Sequence, residues 1–469
     1  MQLKNFNQNK DSFDKGVILY FFNIFFLFLS KNLKKYTKNS IFMQNFDKIY
    51  FCIFLLLIFS LLFVNSSIIG AIGLILICLT LIRSIFYYEK ISLSPLELFV
   101  LAFLILSVIS CCFSSFFVPS LKGLTKVLIY IGCFYSFTDF FKRNPKKILY
   151  TIFFITGCMI LELLPVLKQS LFGVNSLASW QDTNNVNPEQ LLSRVYGTLK
   201  PYNPNLLAGF LLMGISCITG SSIYFALKKQ FKLALILASS LLIGLFMLFA
   251  TGCRASYISL FFSFLFGSFL SYQLFKDSIK VDKRKIKKIF FVAGLIVLIM
   301  GGLLILSSPA LRHRILSIFT LRGDSSNSYR MNVYLSSLNM LKDNFLIGIG
   351  TGNTTFRLVY GLYMVTGFDA LGAYNIYLEM AVESGIFAPI IFLSMIIYTF
   401  IKSVKTFLVT KFLENKIIIL SCLTGIFAIL IQGFFDTIWY RPQIQILFWL
   451  FLAILAVLIM KKEEINEQK

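Results

Sequence analysis

Leu311-Arg312-His313-Arg314, then Arg322-Gly323-Asp324-Ser325-Ser326-Asn327-Ser328-Tyr329-Arg330, then Gly348-Ile349-Gly350-Thr351-Gly352-Asn353 mark out one stretch, from Leu311 to Ala373. It lies between two long apolar segments and is itself too polar to cross a bilayer. From Tyr334, apolar residues recur at Leu338, Leu341 and Phe345, which predicts a helix with one apolar face. In an otherwise membrane-spanning chain such a helix lies on the surface or caps the bundle. The stretch carries five arginines (Arg312, Arg314, Arg322, Arg330, Arg357) and the chain's one histidine. Any chemistry is expected beneath this cap.

Outward from the cap the chain is apolar. With 469 residues, 57% of them hydrophobic, 53 phenylalanines and a mean hydropathy of +0.80, it reads as an all-α polytopic membrane protein. Runs of spanning length recur at 49–64, 68–86, 96–117, 121–141, 148–167, 204–227, 231–251, 255–275, 289–308, 374–401, 417–435 and 443–460. The expected organisation is therefore a cytoplasmic N-terminal segment (1–48), nine spans (49–308), an outer loop or cap (309–373), three spans (374–460) and a cytoplasmic tail (461–469). The 17–30 run is short and flanked by lysines, so it reads as an interfacial helix on the cytoplasmic face.

Lysine placement sets the orientation. Lys90, Lys142, Lys146, Lys147, Lys228, Lys229, Lys232, the 276–288 loop, the 402–416 loop and Lys461-Lys462 fall on alternate connections. Both termini are expected to be cytoplasmic. The net charge of +23 is then mostly a topology signal. No basic face with interleaved aromatics calls for nucleic acid. The nine cysteines show no metal-ligand spacing, and no metal or cofactor is expected.

Arginine runs against that trend. Eight of them (Arg194, Arg254, Arg312, Arg314, Arg322, Arg330, Arg357, Arg441) fall on the outer side. Guanidinium is the planar fork for phosphate or carboxylate. The plain alternative is salt bridges to outer carboxylates such as Asp324 and Asp436, and Asp436 with Arg441 in particular. Arg254 sits at a tight hairpin, Thr251-Gly252-Cys253-Arg254. Glu162 lies within an apolar span and so faces the bundle interior. Lys122 and Lys126 share one helical face near an outer end, where they either snorkel outward or line a cavity. Glu379 and Glu383 lie four apart at the start of the tenth span. The Gly348–Gly352 turn lacks the strand–turn–helix setting of a nucleotide loop and is expected to end the amphipathic helix.

These residues together resemble the O-antigen ligase and polymerase superfamily. The segments concerned are Ser193-Arg194-Val195-Tyr196, Asn203-Pro204-Asn205, Thr251 to Arg254, the 314–319 segment, Asp324 to Asn327, Arg330, Gly348 to Asn353, and Phe435 to Pro442. The closest match is to the IctB branch, a cyanobacterial group named for a proposed role in inorganic-carbon accumulation. The resemblance implies a GT-C-like fold of about twelve helices, with a large outer (periplasmic) loop of amphipathic helices between helices 9 and 10. It implies metal-independent transfer of a glycan from polyprenyl pyrophosphate, with arginines holding the leaving group. Arg194, Arg254 and Arg330 match family arginines. Arg314, Asn205 and Arg441, in segments that carry the closer match, complete the expected substrate-binding set. Where ligases have His-Asn, this chain has Tyr374-Asn375, so the ligase-type general base is replaced. Glu379 is then the candidate catalytic base, and His313 reads as a surface residue. The competing function is a carrier of bicarbonate, or an accessory to one.

Overall fold

The computed structural model describes residues 40–87, 94–174, 194–278, 309–319 and 325–467, with Phe28, Gly302 and Leu306 besides. The described chain is helical. In order the helices are α1 (Ile41–Gln44), α2 (Phe46–Ser60), α3 (Ser66–Phe86), α4 (Pro95–Cys112), α5 (Phe117–Arg143), α6 (Lys147–Phe172), α7 (Pro204–Leu227), α8 (Phe231–Ala250) and α9 (Arg254–Ser278). Next come α10 (Pro309–Leu316), α11 (Ser325–Asp343), α12 (Asn353–Tyr360), α13 (Ile376–Ser384), α14 (Phe387–Val409), α15 (Leu413–Gln432), a 3₁₀ turn (Ile438–Tyr440) and α16 (Pro442–Glu467).

Ten helices, α3 to α9 and α14 to α16, are long and apolar enough to cross a membrane. Of the twelve expected spans, the first is α2, a helix of 15 residues. At about 1.5 Å per residue it falls short of a hydrocarbon core of about 30 Å. The expected ninth span, the 17–30 helix, the 276–288 loop apart from its first residues, Arg322 and Asp324 lie outside the described residues.

Three helices form the centre. The most apolar stretches of α16, α7 and α15 are 94%, 83% and 72% buried, against 22% for α3 and α9. A helix apolar all round is buried all round, and α7 accordingly packs on α15, α8 and α6, and α16 on α5 and α14. Helix starts follow local chemistry. Ser94 and Glu97 form a capping box ahead of Pro95, and Asn203 caps α7 with Pro204 in its first turn. At the end of the bundle away from the cap, Arg143 bridges Asp47 and Asp139, and Lys142 reaches Glu97 at 3.1 Å.

The cap comprises α10 to α13, and it corrects two expectations. The amphipathic helix exists as α11, but its buried face is Val333, Ser336, Ser337 and Met340. Leu338 and Phe345, assigned to the apolar face, are 44% and 50% exposed. Small side chains let α11 lie close against α13, whereas an apolar residue beside a membrane does not need protein to cover it. The expected tenth span is two helices. Gly385, at φ +81°, breaks the run between α13 and α14, so Glu379 and Glu383 belong to the cap rather than to a span.

The glycine turn does more than end α11. Gly348, Gly350 and Gly352 have φ of +80°, +104° and +100°, a region open to glycine. The turn threads between the α4–α5 hairpin and α13. Gly350 N–H donates to Ser110 Oγ at 3.0 Å, Thr351 N–H to Ser120 Oγ at 2.9 Å and Ile349 N–H to the Val382 carbonyl at 2.9 Å. A Cβ on Gly350 would lie 2.4 Å from Ser114 Oγ. The glycines permit a close backbone approach that fixes the cap to the bundle.

Candidate functional site

The strap from Arg194 to Asn203 crosses the cap end of the bundle. Its carbonyls and N–H groups, which no regular ladder satisfies, are met by side chains from α6 and α16. Gln169 accepts from the N–H groups of Tyr196 and Gly197 at 3.0 and 2.9 Å. Glu162 accepts from the Thr198 N–H at 2.7 Å and lies 2.5 Å from its hydroxyl. Gln443 donates to the Lys200 carbonyl at 2.8 Å. Glu162 is fully buried, which places it in the interior as its position within a span predicted.

The strap delivers Arg194 to the end of the α8–α9 hairpin. Arg194 is 5% exposed. It donates from Nε to the Thr251 carbonyl at 2.8 Å and from Nη2 to Asn205 Oδ1 at 2.5 Å. Thr251 closes α8, so a cation meets the negative end of that helix. Arg254 opens α9. Its guanidinium, 7% exposed, donates to the Ser317 hydroxyl at 2.9 Å. Arg314, from α10, donates to the Gly252 carbonyl at 2.9 Å. Asn327 of α11 donates to the Ser317 carbonyl at 3.0 Å and draws the cap helix onto the hairpin. Tyr257 lies within electrostatic reach of Arg314, Arg194 and Arg254 together.

Arg330 completes the group from above. It stands 5.7 Å over the Tyr374 ring, and its buried Nε has no hydrogen-bond partner. Asp436 lies between these cations. It is 4% exposed; Oδ1 accepts from the Thr437 N–H at 2.8 Å, while Oδ2 is buried without a partner. Burial raises the Asp436 carboxyl, against the pull of Arg330 first and then Arg194. The expected Asp436–Arg441 ion pair does not form. The two act on each other electrostatically, but no ion pair joins them, and neither Arg194 nor Arg330 has one among the described residues. An unpartnered buried polar atom costs about 1–3 kcal/mol. Arg330 Nε and Asp436 Oδ2, of opposite charge, are two such atoms in this region.

Glu379 stands apart from the guanidinium groups. It is fully buried, and Oε2 accepts from the Ala373 N–H at 3.1 Å and the Thr437 hydroxyl at 2.7 Å. Burial, and then Glu383 beside it, raise its carboxyl well above the usual range. Tyr374, at the ligase-histidine position, has φ +53°, a strained value for a side-chain-bearing residue. Asn375 caps α13, accepting from the N–H groups of Tyr377 and Leu378 at 3.0 Å each. His313 is exposed.

Of the expected set, Arg194, Asn205, Arg254, Arg314 and Arg330 come together around one hairpin end, and Arg441 joins them through Asp436. Sequence reasoning named Asp436 as a carboxylate for the outer arginines, Arg441 among them, but kept it outside the expected site set. It also missed Ser317 and Gln169, which carry no signal beyond being polar near a span end.

A family model described as O-Antigen ligase matches residues 239–393. Over that segment the chain is O-antigen ligase-related. The match runs from within α8 to the first turns of α14, about a third of the chain. The matched segment contributes Arg254, Arg314, Arg330 and Tyr374. Arg194, Asn205, Asp436 and Arg441 come from outside it. No curated protein matches the chain.

Proposed function

We propose that this multi-pass membrane protein transfers or polymerises a glycan carried on polyprenyl pyrophosphate, without a metal ion, at the membrane face that bears the cap. In this reading that is the outer face of an inner membrane, the side on which the lysine alternation leaves the cap. The supporting observation is the gathering of Arg194, Arg254, Arg314 and Arg330 from four separate segments around one hairpin end, with Arg330 Nε unpartnered. In this reading the acceptor hydroxyl oxygen bonds to the anomeric carbon as that carbon's bond to the pyrophosphate oxygen breaks. The arginines neutralise the leaving pyrophosphate in a low-dielectric site, where fixed donors act most strongly.

The hydroxyl proton needs an acceptor. Both Asp436 and Glu379 keep one buried oxygen without a partner; Asp436 is better placed, since Arg330 and Arg194 act on it, while Glu379 Oε2 is tied to Ala373 and Thr437. Glu379 then holds Thr437, the neighbour of Asp436, and acts through position. The test is glycan transfer by purified protein from a polyprenyl-pyrophosphate donor in the presence of a chelator. Transfer lost with Arg254→Ala supports the reading. No transfer with any donor, together with bicarbonate flux in liposomes that requires Arg254, overturns it in favour of a carrier.

A further inference from the structure

The loop that brings Asp436 to the arginines also presents Trp439 and Tyr440 to a separate cavity, enclosed by α4, α5, the 351–353 turn, α13 and α16. None of the site arginines lines it. Its volume is about 40 Å³. One water-sized group needs about 10–15 Å³, so about three such groups fit and a sugar ring does not.

The lining sorts by charge. Deep in it, Glu383 is 4% exposed. Tyr440 donates to Glu383 Oε2 at 3.2 Å, the Gly352 N–H lies beside the carboxyl, and Oε1 is buried with no partner in hydrogen-bond geometry. Trp439, Trp449 and Tyr130 line the walls. A carboxyl with an open lone pair among aromatic rings is the chemistry that receives an ammonium group. Lys126, the one lining residue with a positive charge, is exposed and stands where the cavity meets its surroundings. The rise along α5 from Lys126 to Lys142 is about 24 Å, against a hydrocarbon core of about 30 Å. With Lys142 at one boundary, Lys126 comes close to the other, within reach of lipid phosphate.

We propose that this cavity binds the headgroup of a phospholipid bearing a primary ammonium, with the ammonium at Glu383 Oε1 and the phosphate at Lys126. The separation of an inner acid from an outer base matches the order of charges in an ethanolamine headgroup. A trimethylammonium carries three further carbons and exceeds the space. A glycerol headgroup offers no cation to Glu383.

The experiment reconstitutes the full chain in nanodiscs of equal phosphatidylethanolamine, phosphatidylglycerol and phosphatidylcholine, and measures the lipid retained on release by native mass spectrometry. The expected result is retention of phosphatidylethanolamine over the other two by about tenfold, with Glu383→Gln and Glu383→Ala each reducing the preference and Lys126→Met lowering the amount of phosphatidylethanolamine retained. Equal retention of the three lipids overturns the proposal, as does undiminished phosphatidylethanolamine retention in Lys126→Met. That variant alters an exposed side chain and decides the matter even if Glu383→Gln fails to fold. Soluble phosphoethanolamine that stabilises the detergent-solubilised protein as well as the lipid does would assign the headgroup to a solution ligand and overturn the lipid source.

Discussion

Glu162 accepts the backbone N–H of Thr198 at 2.7 Å, thirty-six positions along the chain, and through that bond a carboxyl inside a membrane-spanning helix sets the position of Arg194. The strap has no ladder of its own, so its geometry rests on such contacts. A Cβ on Gly197, at φ +68°, would lie 2.1 Å from Glu162 Oε1.

Gly197→Ala is therefore expected to displace the strap and lower glycan transfer by about tenfold or more, since a left-handed conformation alone costs about 1–2 kcal/mol. Glu162→Gln retains an acceptor and is expected to keep most activity, while Glu162→Leu does not. Equal activity of the leucine and glutamine variants would show that the strap is held elsewhere.

One contact between the cap and the bundle is backbone on backbone. A Cβ on Gly123 would lie 2.2 Å from the Thr351 carbonyl oxygen, and neither main chain can step aside. Gly123→Ala is expected to lower the apparent Tm and to expose the cap to protease. Gly157→Ala, with nothing within 4 Å of the added atom, is the control and should leave both unchanged.

Arg254→Lys is expected to fail nearly as badly as Arg254→Ala. Lysine keeps the charge and loses the planar fork. Charge-assisted hydrogen bonds are worth about 1.5–3 kcal/mol each, or roughly one to two decades in rate. Arg357, paired with Asp369 at 2.5 Å on the exposed surface, should tolerate lysine. Rescue of transfer by lysine at 254 would mean that charge alone suffices there.

The two carboxyls separate by amide replacement. Asp436→Asn should abolish transfer and with it the acid limb of the pH–rate profile, which burial places above the ordinary aspartate range. Glu379→Gln should retain a bond to Thr437 and lose less than tenfold. The reverse order would make Glu379 the base.

Glu383 predicts a pH-dependent stability. Burial raises its carboxyl from 4.5 to about 8, so the folded protein holds a proton that the unfolded chain releases. Stability is greatest at or below pH 4.5 on this account and falls as pH rises towards 8. Glu379, Tyr440 and Lys126 face the same group. The apparent Tm is expected to fall between pH 5 and 8, and to fall less steeply in Glu383→Gln. Parallel profiles for the two proteins would contradict this.

The sequence alone determined the class of fold and the cast of the site. Apolar runs of bilayer length need no tertiary information, because a lone helix satisfies its backbone in lipid whatever surrounds it. Among the described residues ten of the expected runs hold a helix long and apolar enough to span, and outer arginines stand out because they oppose a rule that acts residue by residue. What only the tertiary structure decided depends on approach between distant segments. The periodicity of α11 named an apolar face, yet the face against protein is Val333, Ser336, Ser337 and Met340, because beside a membrane hydropathy does not distinguish protein from lipid. The Gly348–Gly352 turn read as a helix stop, and its function as a backbone seam against Ser110, Ser120 and Gly123 needs partners more than two hundred residues away. Asp436 read as a carboxylate for the outer arginines, with Arg441, five residues on, as the nearest in sequence. Which arginines act on it most, Arg330 and then Arg194, depends on distances set by packing and not by position along the chain.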